Sequence, residues 1–388
     1  MPSAGATSPA PPVQHGSAEG PQGRSQASQT TMDARAGKLA PTRLTFWQVA
    51  AGCAFLAASA VASLMVGPFP LAPGTVIDVL FGWLPWPHLH AASQLSTAIV
   101  WQIRAPRVAL AILVGAMLAA AGASYQGVFS NALADPYLLG IAAGAGLGAT
   151  VAFVYGGSIL GAAAGSGGGF GLMPLAAFAG AVVAVMATFA LSRSRRGPRT
   201  PAALVLSGVA VAAFLTAVQS FLQEQHASFG MTALYSWLLG SVAAQGWGPV
   251  LSVLPYAGAS AIVLLACRRL LDAMSLGDDE ATALGVHPRR ARLIVIAAAT
   301  LGTAAAVSAS GLIGFVGIIV PHSIRLLAGP SYRRIVPLSL LYGAGFLVLA
   351  DLLARSALSP QEVPIGVVTA ITGAPFFLVV MRQSGKFA

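Results

Sequence analysis

Residues 104–136 read RAPRVALAILVGAMLAAAGASYQGVFSNALADP. From Arg107 to Phe129 the run is apolar, and the next charge is Asp135. A helix crossing roughly 30 Å of hydrocarbon needs about 20 such residues, because lipid offers no partner for a backbone N–H or C=O outside a helix or closed barrel. The same pattern recurs on both sides. Further apolar runs lie at Thr45 to Gly67, Tyr137 to Tyr155, Gly171 to Ser192, Ala202 to Leu222, Pro249 to Cys267, Leu293 to Ser310, Gly311 to Leu327, Val336 to Leu353 and Pro364 to Met381. The chain therefore reads as an all-α polytopic membrane protein with about ten transmembrane helices. The division at Ser310 and Gly311 is the narrowest of the breaks.

Composition agrees. Of the 388 residues 56% are hydrophobic and 8% charged, against about 25% charged in a soluble domain. The net charge of +10 sits in short clusters between apolar runs, without aromatic interleaving, which argues against nucleic acid as a partner. Residues 1–43, rich in Ala, Ser, Gly, Gln and Pro, read as a disordered cytoplasmic N-terminal tail; 44–388 read as the transmembrane domain. Cys53 and Cys267 read as small buried thiols, with no metal-site or redox spacing.

Lys and Arg concentrate in cytoplasmic loops. With both termini inside, the basic clusters at 193–199, 268–269, 289–292, 325–334 and 382–386 are all cytoplasmic. Of the 21 basic residues only Arg104, Arg107 and Arg355 then face outside. The chain is expected to be multi-pass, with the bilayer itself as one partner.

The energy source follows from what is missing. A proton- or sodium-coupled carrier needs a carboxylate or histidine near the bilayer midplane. All 11 acids fall in loops, tails or near span ends, so an ion-coupled carrier is the weaker reading. A P-loop needs Lys followed by Ser or Thr, but Lys38 precedes Leu39 and Lys386 precedes Phe387. ATP, if used, is hydrolysed on a separate subunit, and this chain is not an enzyme. No catalytic residue, metal ligand or cofactor is expected.

Such a subunit needs a docking element. Leu276 and Gly277 precede Asp278, Asp279 and Glu280, three acids suited to a first helical turn, and Gly285 is placed as a stop before Pro288. Ala281, Ala283 and Leu284 give the short helix an apolar face that fits a partner's groove; on pattern alone an ordinary connecting helix fits equally well.

These stretches resemble the FecCD-type permeases, the vitamin B12, haem and ferric-siderophore permeases of type II ABC importers. The resemblance rests on Arg104-Ala105-Pro106-Arg107, Gln126-Gly127 with Asn131 to Pro136, Leu276-Gly277 with Ala283-Leu284-Gly285, and Ser310 to Gly317 leading to Pro321-His322. It also rests on Pro364-Ile365-Gly366 with Gly373-Ala374-Pro375. Ser130 and Ala132 depart from it, standing where the family often has a basic residue and a proline.

The resemblance implies a BtuC-like fold and a homodimer with a translocation path between its subunits. It also implies two cytoplasmic ABC ATPase subunits, a periplasmic substrate-binding protein and a location in the bacterial inner membrane. By the same resemblance Arg104, Arg107 and Arg355 dock the binding protein, and Asn131 and Leu133, with Thr200, form a cytoplasmic gate. Leu276, Gly277, Asp278, Asp279, Glu280, Ala283, Leu284 and Gly285 couple to the ATPase. The implied cargo is an iron chelate, haem or ferric siderophore, with cobalamin as the alternative.

Overall fold

The computed structural model describes residues 44–81 apart from 68 and 70, then 93–160, 171–192, 201–226, 231–243 and 246–384. The tail of residues 1–43 and the gate candidate Thr200 lie outside them. In chain order the helices are α1 (Phe46–Met65), α2 (Pro73–Phe81), α3 (Gln94–Val128), α4 (Ile141–Leu160), α5 (Leu172–Leu191), α6 (Pro201–Gln225) and α7 (Met231–Leu238). They continue as α8 (Gly248–Met274), α9 (Asp278–Ala283), α10 (Pro288–Ser310), α11 (Val316–Ala328), α12 (Tyr332–Ser356) and α13 (Ile365–Ser384).

Seven of these are long and apolar enough to cross a membrane: α1, α3, α5, α6, α8, α10 and α12. Shorter apolar helices in α4, α11 and α13 fall on the three remaining runs of the sequence reading. The break at Ser310 and Gly311 is real. Gly311 takes φ +66 and Phe315 φ +68, and α11 starts afresh at Val316. One boundary moves. α3 begins at Gln94, well before the apolar run, and passes through a π-turn at Ile99–Arg104.

Burial ranks the helices. In α3 and α10, 78% and 72% of the apolar window is buried, against 17% in α1 and α6, so α3 and α10 form the core. Around α3 stand α12, α10, α8 and α11. Lipid tails are as apolar as leucine, so close backbone approach must supply the attraction between helices. Small residues permit it. Gly115 of α3 lies on Gly343 of α12, and Gly122 of α3 on Gly317 of α11. Gly144 and Gly148 of α4 meet Gly180 and Ala176 of α5, where an added methyl group would overlap a carbonyl oxygen. Gly140 does not share that seam; it ends the 3-10 turn Pro136–Leu139 at φ +82. Cys267 is buried as expected, but Cys53 lies on the exposed face of α1.

Where helices break inside the bundle, the freed backbone groups satisfy one another, as they must away from water. Ser241 N donates to Ser310 O (2.7 Å), and Ile365 N and Gly366 N donate to Gly240 O and Leu239 O (3.1 Å each). The hydroxyl of Tyr137 donates to Ile313 O (3.0 Å) and accepts from Ile313 N (3.2 Å).

Candidate functional site

Polar side chains gather at the two ends of the bundle. At the basic end lie the C-termini of α3 and α8, the N-termini of α10 and α12, and all of α9. Asp272, in the last turn of α8, accepts from Tyr332 N (2.5 Å) and Ser331 Oγ (2.9 Å), so a carboxylate caps the positive N-terminus of α12.

Between α8 and α10 stands α9, shaped by two glycines. Gly277 precedes it at φ +127, where a side chain would strike the Glu280 carboxylate; Gly285 follows it at φ +80. Gly285 N donates to Thr282 O (2.9 Å) and Val286 N to Ala281 O (3.0 Å), a Schellman closure that uses up the last carbonyls. Asp278, Asp279 and Glu280 occupy the first turn. Asp278 pairs with Arg292 of α10 (2.6 Å), tying α9 to the bundle. The apolar face differs from the sequence reading. Ala281 turns inward and is fully buried, whereas Ala283 is exposed and Leu276 and Leu284 are 56% and 65% exposed. Three apolar side chains thus project from a rigid, capped, acidic turn.

Asn131 and Leu133 lie in the turn after α3. Asn131 is exposed, and its Oδ1 accepts from Leu133 N (2.9 Å) in an Asx-turn; Leu133 is half-buried. Ser130, one of the departures from the family pattern, takes φ +50 there. Asp135 in the same turn accepts from Tyr137 N (2.7 Å), yet burial pushes its carboxyl up to about 6.

At the opposite end Arg104, Arg107 and Arg355 come together, and all three are bound within the chain. Arg104 Nη1 donates to Leu64 O (2.6 Å) and Met65 O (3.2 Å), and Nη2 donates to Phe69 O. Arg355 donates to Ser63 O and to Ser63 Oγ (2.6 Å). These carbonyls belong to the last turn of α1 and the chain just after it, so two arginines cap one helix C-terminus. Arg107 makes forked contacts with two acids. It reaches Asp351 of α12 at 2.8 Å and Glu362, in the connection to α13, at 2.9 Å. Asp351 is fully buried and also faces Arg355 at 3.7 Å. Arg104 and Arg355 are each 4% exposed. Asp351 and Glu362 are the residues that sequence reasoning missed. The signal for the first was the i,i+4 spacing of Asp351 and Arg355 on one helix.

A bundle of apolar helices broken inside the membrane, with charged groups gathered at its ends and a short capped helix projecting from one of them, defines a polytopic membrane permease. The model of the FecCD transport family matches residues 55–383, and the chain belongs to that family of ABC transporter permeases. It is 37% identical to the cobalamin import system permease protein BtuC of Halobacterium salinarum, over 89% of this chain and 98% of that one. It is 34% identical to the iron(3+)-hydroxamate import system permease protein FhuG of Bacillus subtilis, over 83% and 92% respectively. A solved metal-chelate type ABC transporter in an inward-facing conformation matches with a TM-score of 0.72 at 29% identity, covering 86% of this chain and 98% of that one.

Proposed function

We propose that the chain is the permease of an ATP-driven importer that passes an iron chelate, haem or a ferric siderophore, from a periplasmic binding protein to the cytoplasm. The observation that carries this reading is the family match across residues 55–383 together with α9, whose exposed Leu276, Ala283 and Leu284 offer an apolar surface to a partner at the basic end. An apolar patch rimmed by acids fits a groove in an ATPase subunit. Two such subunits would dock at the basic end of a homodimer in the inner membrane, with both termini cytoplasmic. Asn131 and Leu133, with Thr200, would gate the path as the docked subunits move.

The opposite end, with Arg104, Arg107 and Arg355, receives the binding protein in this reading. Because all three guanidinium groups have partners inside the chain, their part is to hold the platform in shape, with the rim of Arg107 and half-exposed Glu362 left for direct contact. Cobalamin is the second reading, favoured by the likeness to the Halobacterium permease.

Proteoliposomes holding the permease with its ATPase and binding protein test this. The expected result is ATP-dependent uptake of a ferric chelate or haem. Uptake of cobalamin alone selects the second reading, and uptake driven by an ion gradient without ATP overturns both.

A further inference from the structure

Where α5 ends and α10 begins, two cavities run into one another along the outer surface of the bundle. The first, about 340 Å³, opens at the basic end between Arg289, Arg290 and Arg292. The second, about 420 Å³, continues down between α5 and α10 and is almost wholly apolar. Phe189, Leu293 and Ile296 line both, so the two form one groove with a cationic mouth and a greasy floor.

Of the three charges at the mouth, Arg292 alone is paired inside the protein among the described residues. Arg289 and Arg290 are exposed. Arg292 spends Nη1 and Nη2 on Asp278, while its Nε is buried without a hydrogen-bond partner among the described residues. The mouth also sits on the N-terminus of a 23-residue helix, whose dipole adds to the attraction for an anion. Below it Met186 and Leu293 are exposed, as suits contact with hydrocarbon.

From this we infer that the α5–α10 groove is a binding site for an anionic phospholipid, with the phosphate at Arg289 and Arg290 and one acyl chain against Phe189, Leu293 and Ile296. Charge complementarity selects an anionic over a zwitterionic headgroup. The apolar continuation selects a lipid over a free anion, which would use only the mouth. Through the Arg292–Asp278 pair the headgroup lies one side chain away from α9.

The test is native mass spectrometry of the detergent-solubilised full chain titrated with phosphatidylglycerol or phosphatidylcholine. Wild type is expected to retain phosphatidylglycerol in preference. Arg289→Ala with Arg290→Ala should weaken phosphatidylglycerol binding about 25-fold, taking about fivefold per arginine. Ala297→Phe, which fills the apolar part from an exposed position, should abolish the bound lipid while leaving the mouth intact. Arg382→Ala, on the distant α13, should change nothing. Unchanged retention in the double variant overturns the proposal. So does an equal loss in Arg382→Ala, which marks diffuse surface charge, or full retention in Ala297→Phe, which marks a headgroup contact without the groove.

Discussion

The two ends of the bundle both carry charge, and the charge does opposite things. At the end holding Arg104, Arg107 and Arg355, each guanidinium has at least one partner in the same chain, and Arg104 and Arg355 are buried, with Arg355 Nε left without a hydrogen bond among the described residues. At the basic end α9 is pinned by one ion pair and two glycine turns, yet Leu276, Ala283 and Leu284 are left in the open. Charge that is satisfied internally holds helices together. Apolar surface left open on a rigid element at the bundle's end is available to a partner. Isolation of three cations in a sequence does not distinguish these cases, but their partners do.

Arg107→Glu should break the satisfied end outright. The new carboxylate would face Asp351 and Glu362 with only Arg355, 3.7 Å from Asp351, left beside three acids, and breaking a buried ion pair by removing one partner costs about 3–5 kcal/mol. A large fall in the thermal midpoint in detergent, or loss of the monodisperse peak in size-exclusion chromatography, is expected. Retention of the wild-type midpoint would mean that the cluster does not hold α3 to α12.

Leu284→Arg strikes the open end. The bundle should fold with its midpoint unchanged, while affinity for the ATPase subunit falls by about 2 kcal/mol or more, the scale of a central interface anchor. Co-purification with the ATPase reads this directly.

A smaller effect is expected from pH. The folded state holds the proton of Asp135 up to about pH 6, above its ordinary value of 3.8. The raised pKa means that this group's contribution to stability is fully present below its unfolded value and is lost as pH rises through 6. Thermal midpoints should therefore be higher at pH 5 than at pH 7.5 by an increment that Asp135→Asn removes.

Smallest of all is Asp278→Asn. Asp278 is half-exposed, so the pair with Arg292 contributes at most about 1 kcal/mol. Unfolding should barely change, while hydrogen exchange in α9 should quicken.

Much of the fold was legible because membrane helices are written in one variable, apolar length. Each of the ten runs falls on a helix, and the break at Ser310–Gly311 was visible despite an almost continuous run. The start of α3 was not legible. Arg104 interrupts the apolar pattern there, and the helix continues through it because Leu64 and Met65, about 40 residues away in the chain, supply carbonyls for the guanidinium. Half-length α7 was missed for the same physical reason: the carbonyls just past its C-terminal end are satisfied by the start of α13, through contacts that no local pattern encodes. The caps of α9 were legible, since acids in a first turn and a terminal glycine act locally. Which way its alanines face was not, because burial of Ala281 depends on neighbouring helices.

The most direct test of the contrast between the ends uses Leu284→Arg and the conservative Arg107→Lys in parallel, with ATPase affinity and thermal midpoint measured on the same preparations. The expected result is a double dissociation. Leu284→Arg loses affinity at an unchanged midpoint, and Arg107→Lys, which cannot fork to both acids, loses midpoint at an unchanged affinity. If Leu284→Arg binds the ATPase as wild type does, or if Arg107→Lys leaves the midpoint where it was, the assignment of partner docking to one end and internal bracing to the other is contradicted.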